Sequence, residues 1–206
     1  MKYFWGDPHL DHEKVIDMCA RPFQTVDQMN ECLISEANSW CERKDELFVM
    51  GDFCWDRAAY FRNAIRCKNV HFIRGNHDRR SYEQHFSSAS DTRMVKFCSV
   101  VDHNNPSKRV ECFLSHYPHC FWPKSHHGSL HVYGHLHRQR EEWLDRALGS
   151  DRRSMDVGVD NVAHLTGRYR PISEFEIAGI LLARAGHDHV DYYKAFQKAI
   201  GAKGHE

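Results

Sequence analysis

The stretch KYFWGDPHL, residues 2–10, runs from four aromatic or long side chains straight into Gly6, Asp7, Pro8 and His9. A short aromatic run that stops at a turn signal reads as a buried strand reaching a loop. The same pattern recurs four times. ELFVM (46–50) ends at Gly51 and Asp52, NVHFI (69–73) runs through Arg74 into GNHD (75–78), VECFL (110–114) precedes Ser115 and His116, and LHVY (130–133) opens onto Gly134, His135, Leu136 and His137. Each apolar run therefore predicts a buried strand, and each strand delivers polar, ligand-capable residues at its carboxyl end.

Between these strands the periodicity changes. Thr25 reads as an N-cap with Gln28 three residues on, and Val26, Met29, Leu33, Ile34, Ala37, Trp40 and Cys41 recur at spacings of three and four, which predicts a helix over 25–41. DRAAYFRNAIR (56–66) predicts a second helix, so strands alternate with helices over the first eighty or so residues and the class is α/β. SMDVGVD (154–160) reads as a further strand, ISEFEIAGILLARA (172–185) mixes strand and helix signals, and DHVDYYKAFQKAI (188–200) reads as a terminal helix. The chain of 206 residues is expected to form one domain over 1–206, with a helical extension over about 187–206.

Composition narrows the setting. With 41% apolar and 27% charged residues and no apolar run near the 18 needed for a span, no membrane partner is expected. The start lacks an apolar leader segment, so a cytoplasmic location is expected. The 28 basic residues match the 28 acidic ones, which removes any bulk electrostatic argument for nucleic acid. None of the eight cysteines lies closer than eight residues to another, so a Cys-rich zinc site is excluded by spacing and reduced, packed thiols are expected.

In an open α/β sheet the carboxyl ends of the strands open onto one crevice. Asp7, His9, Asp52, Asn76, His116, His135 and His137 would converge there. Extended residues i and i+2 point to one side, so D-x-H and H-x-H would each aim two ligands together. Imidazole, carboxylate and amide oxygen without thiolate suit manganese, iron or zinc. Seven ligands exceed one ion but match two ions at the spacing of about 4 Å used in two-metal phosphoryl-transfer sites.

In this order, D-x-H, GD, GNHD, H and GHxH, the sequence resembles the calcineurin-like metallophosphoesterases over roughly residues 1–140, and SMDVGVD with YRPIS (169–173) resembles small bacterial and phage members. The resemblance implies two packed β-sheets flanked by helices, an αββα sandwich. It also implies a first metal on Asp7, His9 and His137, a second on Asn76, His116 and His135, and Asp52 bridging them. Manganese is the expected pair of ions, with iron or zinc as alternatives. A hydroxide bridging the metals would attack phosphorus directly, and His77 resembles the general acid that protonates the leaving alkoxide. Many members carry an aspartate three residues after the GD aspartate to orient that histidine; here Trp55 stands at that position and Asp56 follows.

A compact chain without a large insertion leaves an open cleft, which favours phosphodiesters of nucleotides or nucleic acid over phosphoproteins. The alternative is a DNA or RNA nuclease or end-processing enzyme, which would use Arg138, Arg140 and the aromatic loop YPHCFWPKSHHGS (117–129). A non-catalytic scaffold that keeps the fold would show eroded ligands, and all seven ligands and His77 are present. His12 and Arg21 are candidate contacts to substrate phosphate, Arg74 reads as a surface salt bridge, and His131 reads as structural. The sequence leaves the oligomeric state open.

Overall fold

The computed structural model of the chain describes residues 1–102 and 105–184; the expected terminal helix of 188–200 and the extension that carries it lie outside them. The elements run β1 (Lys2–Trp5), α1 (Lys14–Met18), α2 (Val26–Trp40), β2 (Glu46–Met50), α3 (Ala58–Ala64), β3 (Asn69–Ile73), β4 (Ser88–Ser90), β5 (Thr92–Asp102), β6 (Asn105–Ser115), β7 (Leu130–Tyr133), α4 (Glu141–Leu148), β8 (Ser154–Asp156), α5 (Val159–Thr166), β9 (Ile172–Ser173) and α6 (Glu174–Arg184). They build an α/β fold of two mixed sheets flanked by helices.

The first sheet has the order β4-β3-β2-β1-β9, parallel except for β9. The second has the order β5-β6-β7-β8, with an antiparallel β5–β6 pair and parallel β6–β7 and β7–β8 pairs. The period of two in β1 and β2 explains the layers. Tyr3, Trp5, Leu47 and Val49 face α2 and α3 through Met29, Leu33, Ala37 and Phe61. Phe4 and Phe48 face the other way, into a core shared with Phe97, Cys112, Leu114, Val132 and Met155 of the second sheet. Both faces of the central strands are thus buried, which is why their sequences are continuous apolar runs.

The N-cap of α2 is as its sequence predicts: the Thr25 hydroxyl accepts from Gln28 N at 3.2 Å. The ambiguous segment that begins at Ile172 divides, as far as Arg184, into the two-residue β9 and the helix α6. SMDVGVD is strand only as far as Asp156, and α5 begins at Val159. At that end of the molecule a single parallel bridge, Gly6 to Gly158, stitches the end of β1 to the loop after β8, with Gly6 N donating to Val157 O at 3.1 Å and Val159 N to Gly6 O at 2.9 Å. The seven cysteines whose side chains are described are free thiols; four are buried, Cys19 and Cys32 are half-buried, and Cys120 departs from the packing expectation by lying exposed.

Candidate metal centre

The loops at the carboxyl ends of β1, β2 and β3 in the first sheet meet those of β6 and β7 in the second. The crevice is formed between two sheets rather than along one open sheet. Asp7 and Asp52 lie directly after β1 and β2, and their loops are laced together: Asp7 N donates to Gly51 O at 3.2 Å, His9 N to Asp52 O at 3.0 Å and Leu10 N to Phe53 O at 3.1 Å.

The two doublets converge, but by a different geometry from the one their spacing predicts. Asp7 and His9 have φ of 50° and 48°, His135 and His137 have 69° and 46°, and Asp52 has 50°. These are left-handed turns, rare for residues with a Cβ and costing of order 1–3 kcal/mol each. An extended D-x-H would continue the strand; the left-handed backbone turns each side chain back over the strand ends. Backbone N–H groups hold the turns, with His135 N on Asp7 Oδ2 at 2.7 Å and His77 N on Asp52 Oδ1 at 3.0 Å.

Two groups of ligand-capable atoms result, each within 4.8 Å of one another: Asp7, His9 and His137 in one, Asp52, His116 and His135 in the other. Asn76 joins the second group, its Oδ1 lying 3.0 Å from His116 Nε2. Asp52 Oδ2 stands 3.5 Å from both His9 Nε2 and His116 Nε2. All seven residues proposed from sequence are therefore brought to one place.

The chemistry of the set fits cations. Asp7 Oδ1 and His9 Nε2 are buried polar atoms with no hydrogen-bond partner, an arrangement that is costly unless something else satisfies them. Burial pushes the imidazoles of His9, His116 and His135 below their ordinary range, which leaves them neutral and able to offer a lone pair. Burial also lifts the Asp7 carboxyl well above the usual range, so its ionised form needs a compensating positive charge beside it. Each group could hold one divalent ion.

His137 has an independent support. Its Nδ1 lies 2.7 Å from Asp160 Oδ2, and this bond, working against burial, carries the imidazole up to about 11. Asp160 itself sits below the usual carboxylate range because its hydrogen bonds to His137 and Arg21 outweigh its burial. The bond commits Nδ1 to Asp160, so a cation on the side of Asp7 and His9 would take Nε2 by displacing its proton. Carboxylate–histidine pairs of this kind fix the tautomer and orientation of metal ligands. Cys19 and Asp160 also form a ligand-capable trio with His137 on its outer side, where the Arg21 cation already pairs with the carboxylate.

Arg21 is placed differently from a phosphate contact. It is 4% exposed. It donates to Asp160 through Nε at 2.8 Å and Nη2 at 2.9 Å, to Asp7 O at 2.8 Å, to Pro8 O at 2.9 Å and to Met29 Sδ at 3.4 Å. With all its donors engaged inside the protein, it clamps the Asp7 loop to Asp160 and has none to offer a substrate.

His77 and His12 lie at the open side. His77 is exposed, with its ring 5.8 Å from that of His9 and 6.0 Å from Trp55. Among the described residues its ring makes no hydrogen bond to a carboxylate, and Asp56 instead faces Arg79 at 3.9 Å. His12 is half-buried and stacks on Trp55, its Nδ1 without a hydrogen-bond partner. Arg74 forms the expected salt bridges, to Glu83 at 3.0 Å and Asp91 at 2.7 Å. In the 117–129 loop, Phe121 is 87% exposed, while Trp122 Nε1 is tied to Ser129 O at 3.1 Å and Tyr117 sits 4.6 Å from the His135 ring.

Three aspartates matter here that the motif spacing did not single out. Asp160 orients His137. Asp156 accepts from Arg138 N at 2.9 Å and Gly158 N at 2.6 Å, fixing the turn after His137. Asp78, pushed up to about 6 by burial, gathers Asp52 N, Phe53 N and Gly75 N at 2.7–3.0 Å. The signal was available in the last letter of GNHD and in the two aspartates of SMDVGVD.

Comparison with known proteins places the chain among similar but functionally undescribed ones. No known family model matches it. An uncharacterized protein of Methanocaldococcus jannaschii is 27% identical over 177 residues, covering 83% of this chain and 85% of its own length. The crystal structure of a protein of unknown function from Aquifex aeolicus aligns with a TM-score of 0.64 at 21% identity, over 86% of this chain and 97% of its own. That likeness shows a shared fold.

Proposed function

We propose that the chain is a two-metal phosphoesterase with the calcineurin-like αββα arrangement, hydrolysing phosphate esters and preferring phosphodiesters. The observation that carries this reading is the Asp52 carboxylate, whose Oδ2 is 3.5 Å from His9 Nε2 in one ligand group and 3.5 Å from His116 Nε2 in the other. One carboxylate thus faces both groups, the arrangement a pair of ions with a shared ligand requires.

Asp7, His9 and His137 would hold one ion, Asn76, His116 and His135 the other, and Asp52 both; manganese, iron and zinc all suit the donors. Bound there, two cations would supply Lewis acidity toward the phosphoryl oxygens and make a water nucleophilic near neutral pH. The protein's own groups do the rest. Asp160 and Arg21 hold His137 and the Asp7 loop in place, and Asp78 holds the Asp52 and Gly75 turns. The His77 ring faces solvent beside His9 and Trp55, with its backbone N–H fixed on Asp52 Oδ1, and is placed to give a ring-nitrogen proton to a departing oxygen.

The test is turnover of a chromogenic phosphodiester and a phosphomonoester by manganese-loaded protein. Metal-dependent hydrolysis is expected, with Asp52→Ala losing metal and activity together and His77→Gln keeping metal while slowing turnover by about 10²- to 10⁴-fold. Absence of metal-dependent turnover with both esters overturns the reading.

A further inference from the structure

A row of aromatic rings leads out of the candidate metal centre. The His137 and His9 rings are 5.0 Å apart and 26° from parallel, His9 and His12 are 5.4 Å apart at 34°, and His12 and Trp55 are 4.7 Å apart at 22°. Trp55 closes the row at its outer end. Trp55 is 49% exposed, although His12 stacks against its ring. Its backbone is fixed on both sides, with Trp55 N on Leu10 O at 2.8 Å and Tyr82 Oη on Trp55 O at 3.0 Å. The platform is therefore rigid, and stacking on it orders few new degrees of freedom.

Its location gives it a direction. Trp55 is a ring neighbour of His77 at 6.0 Å, and His77 is the group placed to protonate the leaving oxygen. Whatever the leaving oxygen carries therefore lies on the Trp55 side of the centre. A planar, π-faced group would meet an exposed indole there; a flexible alkyl group would gain only area. Resting on the phosphoesterase reading, we infer that the exposed surface of Trp55 is the subsite for the nucleobase of a leaving nucleoside, and that Trp55 selects nucleoside phosphate esters over aliphatic ones. Base–aromatic stacking tolerates any base, so the subsite distinguishes nucleoside from non-nucleoside without reading base identity.

The experiment compares two phosphonate analogues, one of adenosine 5′-phosphate and one of glycerol phosphate, by calorimetry on manganese-loaded protein, with hydrolysis of the parent esters measured in parallel. Wild type is expected to bind the adenosine analogue about 10- to 100-fold more tightly, the size of one base–aromatic stack. Trp55→Ala should erase that difference and leave the glycerol analogue unchanged, and Trp55→Phe should keep most of it. Equal binding of the two analogues by wild type, or a preference that survives Trp55→Ala, overturns the Trp55 inference and leaves the phosphoesterase reading standing. Failure to bind either analogue, together with no metal-dependent turnover, overturns both.

Discussion

Asp160 is the residue through which two parts of the centre become one. Its carboxylate accepts from His137 at 2.7 Å and from Arg21 at 2.8 and 2.9 Å, and Arg21 in turn holds the carbonyls of Asp7 and Pro8. The charge pair is nearly fully buried, so removing one partner leaves an uncompensated charge, at a cost of about 3–5 kcal/mol. Asp160→Asn keeps the shape but loses the carboxylate that fixes the His137 tautomer. It should lower manganese affinity about 10- to 100-fold, measured by chelator competition, alongside a loss of stability in urea. Asp145→Asn, which touches Arg152 and Arg184 away from the centre, should leave affinity unchanged. Equal metal affinity in wild type and Asp160→Asn would show that His137 needs no such support.

The elements most plainly written in the sequence are those buried on both faces or capped. β1, β2, β3 and β7 are continuous apolar runs, and Thr25 marks the start of α2. β5 is not legible in the sequence, because it is an antiparallel strand that alternates buried Val95 and Phe97 with exposed Met94 and Lys96, and interleaved charges break the apolar run. The convergence of the ligand residues was legible in their order after strand ends. The left-handed turns that achieve it were not, since non-glycine residues enter that region only where surroundings force them. One glycine makes the point testable. Gly51 has φ +91°, and a Cβ there would stand 2.2 Å from His116 Nδ1, displacing the ring that bonds Met50 O at 2.9 Å. Gly51→Ala should cut bound metal from two ions to one, whereas Gly167→Ala, with φ +75° and nothing within 4 Å, should cost only about 1–2 kcal/mol of backbone strain. His131 in β7 bears out its structural reading: Nδ1 donates to Phe113 O at 3.0 Å and Nε2 accepts from His119 N at 3.1 Å. Burial pushes this imidazole down from 6.5 to about 3. The unfolded chain takes up a proton there below about pH 6.5 and the folded chain does not until about 3, so stability is full above 6.5 and falls with pH, by up to about 1.4 kcal/mol per unit. His131→Leu should flatten that acid slope by one proton in urea midpoints measured from pH 8 to 4, while costing about 1–3 kcal/mol at pH 8.

At the scale of the molecule, the candidate ligands are divided between the two sheets. Asp7, His9, Asp52 and Asn76 follow strands of the first, and His116, His135 and His137 follow strands of the second. Each three-residue group contains members from both sheets, so an ion in either group ties the layers together at the edge where the Gly6–Gly158 bridge is their backbone link. No helix among the described residues is long and apolar enough to cross a membrane, and the sandwich relies on its inter-sheet core to hold the layers elsewhere. Metal binding should therefore stabilise the whole fold. At a free manganese concentration about 100 times the dissociation constant, one site contributes about 2.7 kcal/mol. For a chain of this size that corresponds to a rise in Tm of about 5–10 °C. Thermal unfolding followed by near-ultraviolet circular dichroism, which reports tertiary packing, should show the rise with manganese, its reversal by a chelator and its absence in Asp52→Ala, where the carboxylate facing both groups is gone. If manganese bound without moving Tm, the unfolded chain would bind it as tightly as the folded one, and the centre would not be a site that the fold assembles.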